Sequence, residues 1–445
     1  MMATFIGSVG NDIATPSKLS SNFIDDDSSN GDVRPAGAMP SNDNDGFALG
    51  DGNDWAEGAG GYDAMNGEGG SDRLFGQEGM DVLRGGPGED ILVGGADDDF
   101  LVDTQPEDGV NFLAGGRGND SYFIDENQKI EEHEEQGTDS VFLVVGDYTL
   151  PENVENMYFW HDRPHVPPGI PGDYGGIGNG LDNNMEGGSG SDVIESLKGE
   201  DQLRGHGAAD TLRGGDGADV IFGEAPKILQ DTLGMVAGGD FIYGGDGADT
   251  VFGGPGDDVV DGDADDDVIR GEEGADWIFG SGGDDTIDGG PEDDILSGED
   301  HDDRLIGAGG NDVLKGGDDV DTLLGGAGND ELDGGPRRDT LRGGLGDDSL
   351  LGGGGKDSMW GGAGADKFEF SQPPADSGID VINDYRKAQG DAIDLAGAAS
   401  DWITDERDVG GSRWELTFLG GGKLILINVA DVDGDGSILS EILFV

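Results

Sequence analysis

Apolar residues in this chain recur singly, nine residues apart, within sequence that is otherwise glycine-rich and polar. Residues 325–333 read Gly-Gly-Ala-Gly-Asn-Asp-Glu-Leu-Asp, and most repeats follow the form Gly-Gly-x-Gly-x-Asp-x-apolar-x. The first six residues predict a tight turn, with glycines where the backbone needs positive φ or close approach. The last three predict a very short strand whose one inward side chain fills a narrow core. Examples of that side chain are Leu212, Val251, Ile278, Leu314 and Leu341.

Aspartates keep the same nine-residue register over most of the chain. The longest block holds Asp240, Asp249, Asp258, Asp267, Asp276, Asp285, Asp294, Asp303, Asp312, Asp321, Asp330, Asp339, Asp348, Asp357 and Asp366. A first block holds Asp54, Asp63, Asp72, Asp81, Asp90 and Asp99, and Asp120 is a single repeat after an interruption. A second block holds Asp192, Asp201, Asp210 and Asp219, with Asn183 in phase before it, and Gly7–Asp12 is one further copy. Each aspartate leaves its turn beside inward carbonyl oxygens, and such hard oxygen ligands predict calcium sites.

This pattern resembles the RTX family, secreted bacterial proteins with hemolysin-type calcium-binding nonapeptide repeats. The resemblance implies an all-β chain, wound into a right-handed parallel β-roll in several stacked blocks and closed by a β-rich C-terminal cap. Repeats eighteen residues apart would stack, and each calcium ion would lie between two stacked turns, held by both aspartates and by turn carbonyls. Counting stacked pairs within unbroken blocks gives roughly nineteen Ca²⁺ ions.

Charge and composition agree with ion-dependent folding. The chain has 97 acidic and 24 basic residues, a formal charge of −73, and 90 glycines among 445 residues. Low hydrophobicity and high charge predict disorder without calcium, whereas bound ions would supply the folding free energy that a thin core cannot. The negative charge argues against nucleic acid or an anionic membrane as a partner.

Several features bear on export. The chain has no cysteine, so calcium rather than disulfides would hold the fold together. No transmembrane run is present, and residues 1–12 lack the pattern of a cleaved signal peptide. Glu441 is followed by four apolar residues, Ile442 to Val445, which resembles the uncleaved terminal signal of type I secretion substrates. The same residues also fit an edge strand. We therefore expect a secreted or cell-surface protein that passes through a type I secretion apparatus.

Interruptions in the register divide the chain into seven parts. Residues 121–177 contain longer apolar β-rich runs, where we expect the coil to continue with wider turns and a larger core. The predicted parts are an N-terminal cap or loop (1–45), a first repeat block (46–123), a β-rich spacer (124–177), a second block (178–223), an insertion (224–237), a third block (238–369) and the C-terminal cap (370–445).

Other groups of residues are weaker indications of a metal site or a sugar-binding site. His161 and His165 flank prolines, which favour a loop over a transition-metal pair. Residues 431–436 open like an EF-hand loop, but Ile442 stands where the twelfth-position glutamate belongs. The aromatic run 158–160 is interpreted as packing rather than a sugar platform.

Catalytic signatures are missing: the sequence contains neither H-E-x-x-H nor G-x-S-x-G, so we expect no enzyme. Two functions remain. The first is an extracellular structural role in a surface layer, matrix or adhesion, and the second is a polysaccharide-binding module similar to those of alginate-modifying enzymes. Outward cations would serve the second role, but Arg204 and Arg213 are nine residues apart and would lie on opposite faces. The outward cations are Arg204, Arg213, Arg270, Arg304, Lys315 and Arg342.

Overall fold

The computed structural model describes 3–4, 11–14, 25–26, 45–104, 109–126, 128–133, 137–159, 174–224, 238–370, 379–387, 389–394, 403–408, 413–418 and 423–427. Every regular element in these ranges is a β-strand. The chain forms two compact units, Met1–Gly205 and His206–Val445.

The first unit contains short strands, the last of which extends one residue past the unit boundary. They are β1 (Ala3–Thr4), β2 (Asn11–Ala14), β3 (Asp25–Asp26), β4 (Asp45–Ala48), β5 (Trp55–Gly60), β6 (Ala64–Asn66), β7 (Arg73–Glu78), β8 (Val82–Arg84), β9 (Ile91–Ala96), β10 (Phe100–Asp103), β11 (Phe112–Arg117), β12 (Ser121–Asp125), β13 (Lys129–Ile130), β14 (Ser140–Val145), β15 (Tyr148–Thr149), β16 (Asn156–Phe159), β17 (Gly175–Ile177), β18 (Asn184–Glu186), β19 (Val193–Lys198) and β20 (Gln202–His206).

The second unit carries the longest block of repeats and the C-terminal strands. Its strands are β21 (Thr211–Asp216), β22 (Val220–Glu224), β23 (Phe241–Asp246), β24 (Thr250–Pro255), β25 (Val259–Ala264), β26 (Val268–Glu273), β27 (Trp277–Gly282), β28 (Thr286–Gly290), β29 (Ile295–Asp300), β30 (Arg304–Gly309), β31 (Val313–Gly317), β32 (Thr322–Ala327), β33 (Glu331–Asp333), β34 (Pro336–Arg337), β35 (Thr340–Leu345), β36 (Ser349–Leu351), β37 (Gly354–Gly355), β38 (Ser358–Ala363), β39 (Lys367–Glu369), β40 (Ile379–Ile382), β41 (Ala392–Asp394), β42 (Ile403–Asp408), β43 (Arg413–Phe418) and β44 (Lys423–Ile427).

Within each unit, successive strands alternate between two parallel sheets. In the second unit β24 pairs with β26, while β25 pairs with β27 in the other sheet. Partners lie eighteen residues apart, as in the pair Leu305 and Leu323. Two repeats therefore make one revolution, and each unit is a parallel β-solenoid of the β-roll type. The all-β prediction is confirmed.

The core is a column of single apolar side chains. Leu305, Leu323 and Leu341 are fully buried and follow one another in register. Most repeat strands are six residues long rather than the three predicted, because pairing continues through the first residues of the next turn. In β32 the burial alternates so that Leu323 and Gly325 face inward, which leaves room for only one large side chain per strand.

The spacer and the cap extend the same architecture. Strands β12, β14 and β16 pair in parallel, and each buries two apolar residues instead of one, as Val141 and Leu143 do in β14. This is the larger core predicted for the spacer. In the second unit β40 pairs in parallel with β38, and β42, β43 and β44 form an antiparallel sheet that joins it through β44. This is the β-rich C-terminal cap.

Glycines at the second and fourth repeat positions permit the tight turn. Gly326 has φ 113° and Gly328 has φ 139°, a region that side chains disfavour. A Cβ on Gly328 would lie 1.5 Å from the carbonyl oxygen of Gly310 in the turn below. Stacked turns thus approach too closely for a side chain at that position.

Some fourth positions hold other residues. Asp97, Asp265, His301, Asp319 and Arg337 all have φ between 76° and 93° there, as the turn shape predicts. Each accepts a left-handed conformation that costs an L-residue about 1 kcal/mol or more. A sixth such position, Ala208, also has positive φ at 71°, whereas the seventh, Glu292, is not among the residues with positive φ.

We expect Gly328→Ala to destabilise the calcium-loaded protein by at least about 1 kcal/mol, because it adds both an unfavourable φ and a clash with the turn below. The measurement is urea unfolding followed by circular dichroism in saturating calcium. Ala327→Ser, at the exposed neighbouring position, is the matched control and should leave the midpoint unchanged. Equal midpoints for both variants would contradict this account of the turn.

Candidate metal sites

The phased aspartates end each turn and point into the roll. All 26 predicted ligand positions from Asp54 to Asp366 are buried, each with no more than 3% of its surface exposed. They lie at the edge of the column of apolar side chains, two residues before the inward residue of each strand. Within each unit, the structure therefore brings the predicted residues together in two stacks.

One carboxylate oxygen of each aspartate holds adjacent turns in register. The backbone N–H of Asp312 donates to Oδ1 of Asp330 at 3.0 Å, and the N–H of Asp294 donates to Oδ1 of Asp312 at 2.9 Å. The same bond joins Asp276 to Asp294 at 2.9 Å. Each aspartate therefore satisfies the amide of the residue eighteen positions earlier, forming a continuous carboxylate ladder.

The second oxygen has no such partner. Oδ2 of Asp312 and of Asp330 is fully buried and accepts no hydrogen bond. It lies beside the glycine at the first repeat position: a Cβ on Gly307 would be 2.3 Å from Oδ2 of Asp312 and 2.7 Å from the carbonyl oxygen of Gly325. A carboxylate oxygen and a carbonyl oxygen from stacked turns thus converge on one place, and only glycine leaves space there.

This environment opposes negative charge. The pKa of Asp312 is raised to about 7, mainly by burial and also by the carboxylates of Asp330 and Asp294, against the lowering effect of the hydrogen bond from the amide of Asp294. Burial likewise raises the pKa of Asp303 and of Asp267 to about 8, with neighbouring aspartates acting in the same direction. A cation between the turns would remove this penalty, because an opposite charge favours the ionised carboxylate.

The donor set fits calcium. Among the described residues no group of three or more His, Cys, Asp or Glu side chains is placed to hold a metal ion. A bound ion must therefore take a large part of its ligands from backbone carbonyls such as that of Gly325. Hard carboxylate and carbonyl oxygens in a flexible turn are what Ca²⁺ accepts, whereas zinc prefers nitrogen and sulfur.

The ladder also contains residues that the nine-residue register did not identify. The backbone N–H of Asp90 donates to Oδ1 of Asn111, that of Asp120 donates to Oδ1 of Asp139, and that of Asp357 donates to Oδ1 of Asp380 in the cap. Asn111 could have been found, since it lies nine residues before Asp120. Asp139 and Asp380 could not, because turns of different length precede them.

Two turns are closed by an acidic side chain from outside the register. The amides of Gly361 and Gly362 donate to Asp384, and those of Gly115 and Gly116 donate to Glu132. In both turns a carboxylate binds the first two amides of a repeat. The repeat pattern gave no signal for either residue.

The ladder also crosses the insertion between the second and third blocks. The backbone N–H of Asp210 donates to Oδ1 of Asp240, and that of Asp219 donates to Oδ1 of Asp249, although thirty residues separate the partners. The expected number of roughly nineteen ions counts only stacked pairs of aspartates within unbroken blocks. It therefore omits the stacked pairs that cross the insertion.

The repeat sequence matches the family described as RTX calcium-binding nonapeptide repeat (4 copies) over 49–79, 75–102, 107–122, 177–210, 197–225, 236–269, 261–296, 297–332 and 333–368. These segments cover more than half of the chain. The chain belongs to the RTX calcium-binding repeat family. No curated protein matches it with significance. RTX repeats bind calcium, so the ladder belongs to a calcium-binding protein.

Some predicted features lie outside the described residues. They are the histidine pair 161 and 165, the EF-hand-like residues 431–436, the terminal segment 441–445, Trp160 and most of the insertion. Of the aromatic run, Tyr158 stacks on Phe142 at 5.2 Å between ring centroids, and Phe159 is buried. In the part of the chain that the structure describes, no helix could cross a membrane.

The raised pKa values predict an unusual pH dependence for the calcium-free RTX protein. Asp303 and Asp267 have pKa values of about 8 when folded, against 3.8 for the free side chain, so the folded state binds more protons than the unfolded chain between these values. Their contribution to stability is complete below about pH 4 and is lost as pH rises through about 8. In excess chelator, the β-sheet circular dichroism signal should be larger at about pH 5 than at about pH 8.

With calcium bound, the pH dependence should be the opposite of that of the calcium-free protein. Because a bound ion needs ionised carboxylates, the calcium affinity should increase from pH 6 to about pH 8, with release of protons on binding. Titration calorimetry in buffers of different ionisation enthalpy measures the protons released. A chelated protein that is more ordered at pH 8 than at pH 5 would contradict the assignment.

Proposed function

We propose that this RTX protein is an extracellular calcium-dependent structural protein, acting in a surface layer, a matrix or adhesion, and folding on calcium binding after export. The observation that carries the proposal is the row of buried carboxylate oxygens, such as Oδ2 of Asp312 and Asp330, that accept no hydrogen bond. Such a row is unfavourable unless cations neutralise it.

Calcium concentration then determines where the protein folds. Extracellular calcium modules bind with dissociation constants of about 10⁻⁴–10⁻³ M, which cytosolic calcium does not approach. A chain with a formal charge of −73 would stay unfolded inside the cell through self-repulsion. That state suits passage through a type I secretion apparatus, which we propose as the export partner.

The distribution of chemical groups favours a structural role over catalysis. RTX β-roll repeats are typically non-catalytic. Of the carboxylates in the repeats, the buried ones other than Asp103 belong to the ladder, and the chain has only 5 histidines for general base chemistry. We therefore assign no catalytic residue.

Chelation tests the proposal. Excess chelator at neutral pH should convert the protein to a disordered ensemble, and calcium should restore the β-sheet signal cooperatively, because the ions replace a large core as the source of stability. Asp330→Asn should weaken calcium binding at its ladder position by about tenfold, since the site loses a charged ligand. Asp288→Asn, at an outward strand position, is the matched control. A circular dichroism spectrum that chelator leaves unchanged would refute calcium-driven folding.

A polysaccharide-binding role has one observation in its favour. Arg270 lies over the ring of Phe252 at 5.6 Å and Arg342 lies over the ring of Trp360 at 5.0 Å. Strand pairing places both in the same sheet as Arg304. Rigid cation–aromatic pairs on one face suit an acidic polysaccharide.

A glycan-binding screen in calcium tests this second role. The double variant Arg270→Glu and Arg342→Glu should lose at least tenfold in affinity for an acidic polysaccharide, since both charges are reversed. Arg117 is an exposed arginine of the first unit, and Arg117→Glu should not lower the affinity for the polysaccharide. An equal loss in both proteins, or no binding by the wild type, would exclude this face as the binding site.

A further inference from the structure

One face of the second unit carries exposed aromatic residues in register. The first and third residues of β21, β23, β25, β27, β29, β31 and β33 point outward from the same sheet, and strand pairing aligns them as seven successive rungs of a sheet that continues through β36, β39 and β41. We call this surface the Trp277 face. Its rungs are Thr211 and Arg213, Phe241 and Tyr243, Val259 and Asp261, Trp277 and Phe279, Ile295 and Ser297, Val313 and Lys315, and Glu331 and Asp333.

The centre of the Trp277 face is apolar. Trp277 is 54% exposed and Phe241 is 47% exposed, and half-buried Val259 and Ile295 flank Trp277 on the adjacent rungs. A contiguous apolar patch of this kind on a protein surface marks an interaction site. The chain has 97 acidic residues, yet the three central rungs of this face carry only one charged residue, Asp261. Asp261 itself accepts a hydrogen bond from Ser281 at 2.8 Å.

Apart from Asp261, the charged residues of these seven rungs lie on the outer rungs, a cation on the first and two acids on the seventh. Arg213 is on the first rung, and Glu331 and Asp333 are on the seventh. Lys315 is on the sixth rung and Tyr243 on the second. Trp277 is on the fourth rung, the midpoint of the seven.

The order of side chains along the seven rungs is complementary to the same order read in the opposite direction. If a second copy is turned by a two-fold axis through the Trp277 rung, Arg213 of each copy faces Glu331 and Asp333 of the other. Lys315 then faces Tyr243, whose ring already lies under Arg213 of its own chain at 5.3 Å, and Asp261 faces Ser297. The apolar centre covers itself, with Trp277 against Trp277. A parallel alignment would instead place Arg213 beside Arg213 and Glu331 beside Glu331.

We propose that the Trp277 face binds a second copy of this chain in antiparallel orientation, forming a two-fold symmetric dimer. A symmetric interface needs one self-complementary patch, which the seven rungs provide. With rungs about 4.8 Å apart and the outward first and third residues spanning about 10 Å of each strand, the seven rungs cover roughly 300 Å² per copy, or about 600 Å² in total. That area is below the range of specific stable interfaces, so the dimer that we propose is a weak one.

The inference deepens the proposed structural role and rests on it in one respect: the rungs align only in the folded, calcium-loaded roll. The dimer and calcium-driven folding can fail separately. If calcium restores the β-sheet signal but the protein remains a monomer, the dimer is wrong and calcium-driven folding stands. If chelator leaves the signal unchanged, calcium-driven folding fails whatever the association state.

Sedimentation equilibrium of the full chain in saturating calcium tests the dimer. The wild type should associate, and Trp277→Glu should weaken association at least tenfold. Trp360→Glu, in the opposite sheet, is the matched control and should associate like the wild type, and circular dichroism checks that each variant folds. A monomeric wild type, or a Trp277→Glu protein that still dimerises, would overturn the proposal.

Charge reversal tests the orientation. Arg213→Glu alone and the pair Glu331→Arg and Asp333→Arg should each weaken the dimer, because each places like charges together. The three changes in one chain should restore association to within about threefold of the wild type, since the opposite charges again face each other. Failure of the combined variant to recover would overturn the antiparallel alignment.

Cysteine cross-linking tests the register, and the chain contains no cysteine of its own. Asp261→Cys and Ser297→Cys, when mixed, should be joined by a short bis-maleimide, because facing sheets lie about 10 Å apart and the two sulfur atoms would be within its reach. Each variant alone should be joined much less, because its own copy lies two rungs, about 10 Å, further along the roll. Cross-linking of either variant with itself but not with the other would contradict the proposed register.

Discussion

The fold of this RTX protein depends on one interaction, the bond between a backbone amide and the Oδ1 atom of the aspartate eighteen residues later. Asp312 and Asp330 show it at 3.0 Å, and it recurs along both units. The bond requires each carboxylate to be buried, and burial leaves Oδ2 facing carbonyl oxygens. The contact that aligns the turns therefore also creates the need for a cation, which is why we propose that folding is coupled to calcium binding.

The narrow core follows from the same geometry. Two repeats per revolution allow one large side chain, such as Leu323, on each strand, with Gly325 next to it. So little apolar surface cannot offset the conformational entropy of a chain with 90 glycines. Outward positions contribute further contacts, such as the stacked rings of Phe222 and Phe252 at 5.0 Å, but these lie on the surface and add less than burial does.

The sequence predicted much of this structure because each repeat position has its own physical requirement. Positive φ at Gly328 and burial of Asp330 both follow from the nonapeptide alone. Residues outside the register were missed for an equally physical reason: Asp380 and Asp384 reach the ladder through turns of other lengths, and no local pattern encodes a turn length. The self-complementary order of the Trp277 face was also invisible, because only strand pairing shows that Arg213 and Glu331 lie on the same surface.

The insertion gives the molecule a further property. Gly223 and Asp240 lie on either side of it, yet a Cβ on Gly223 would be 2.2 Å from Oδ2 of Asp240, the same relation that Gly307 has to Asp312. The turn therefore keeps its geometry when extra residues enter between these two positions. A roll of this kind can acquire new segments at its turns while neighbouring repeats stay in place, so evolution can change what the surface recognises without redesigning the scaffold.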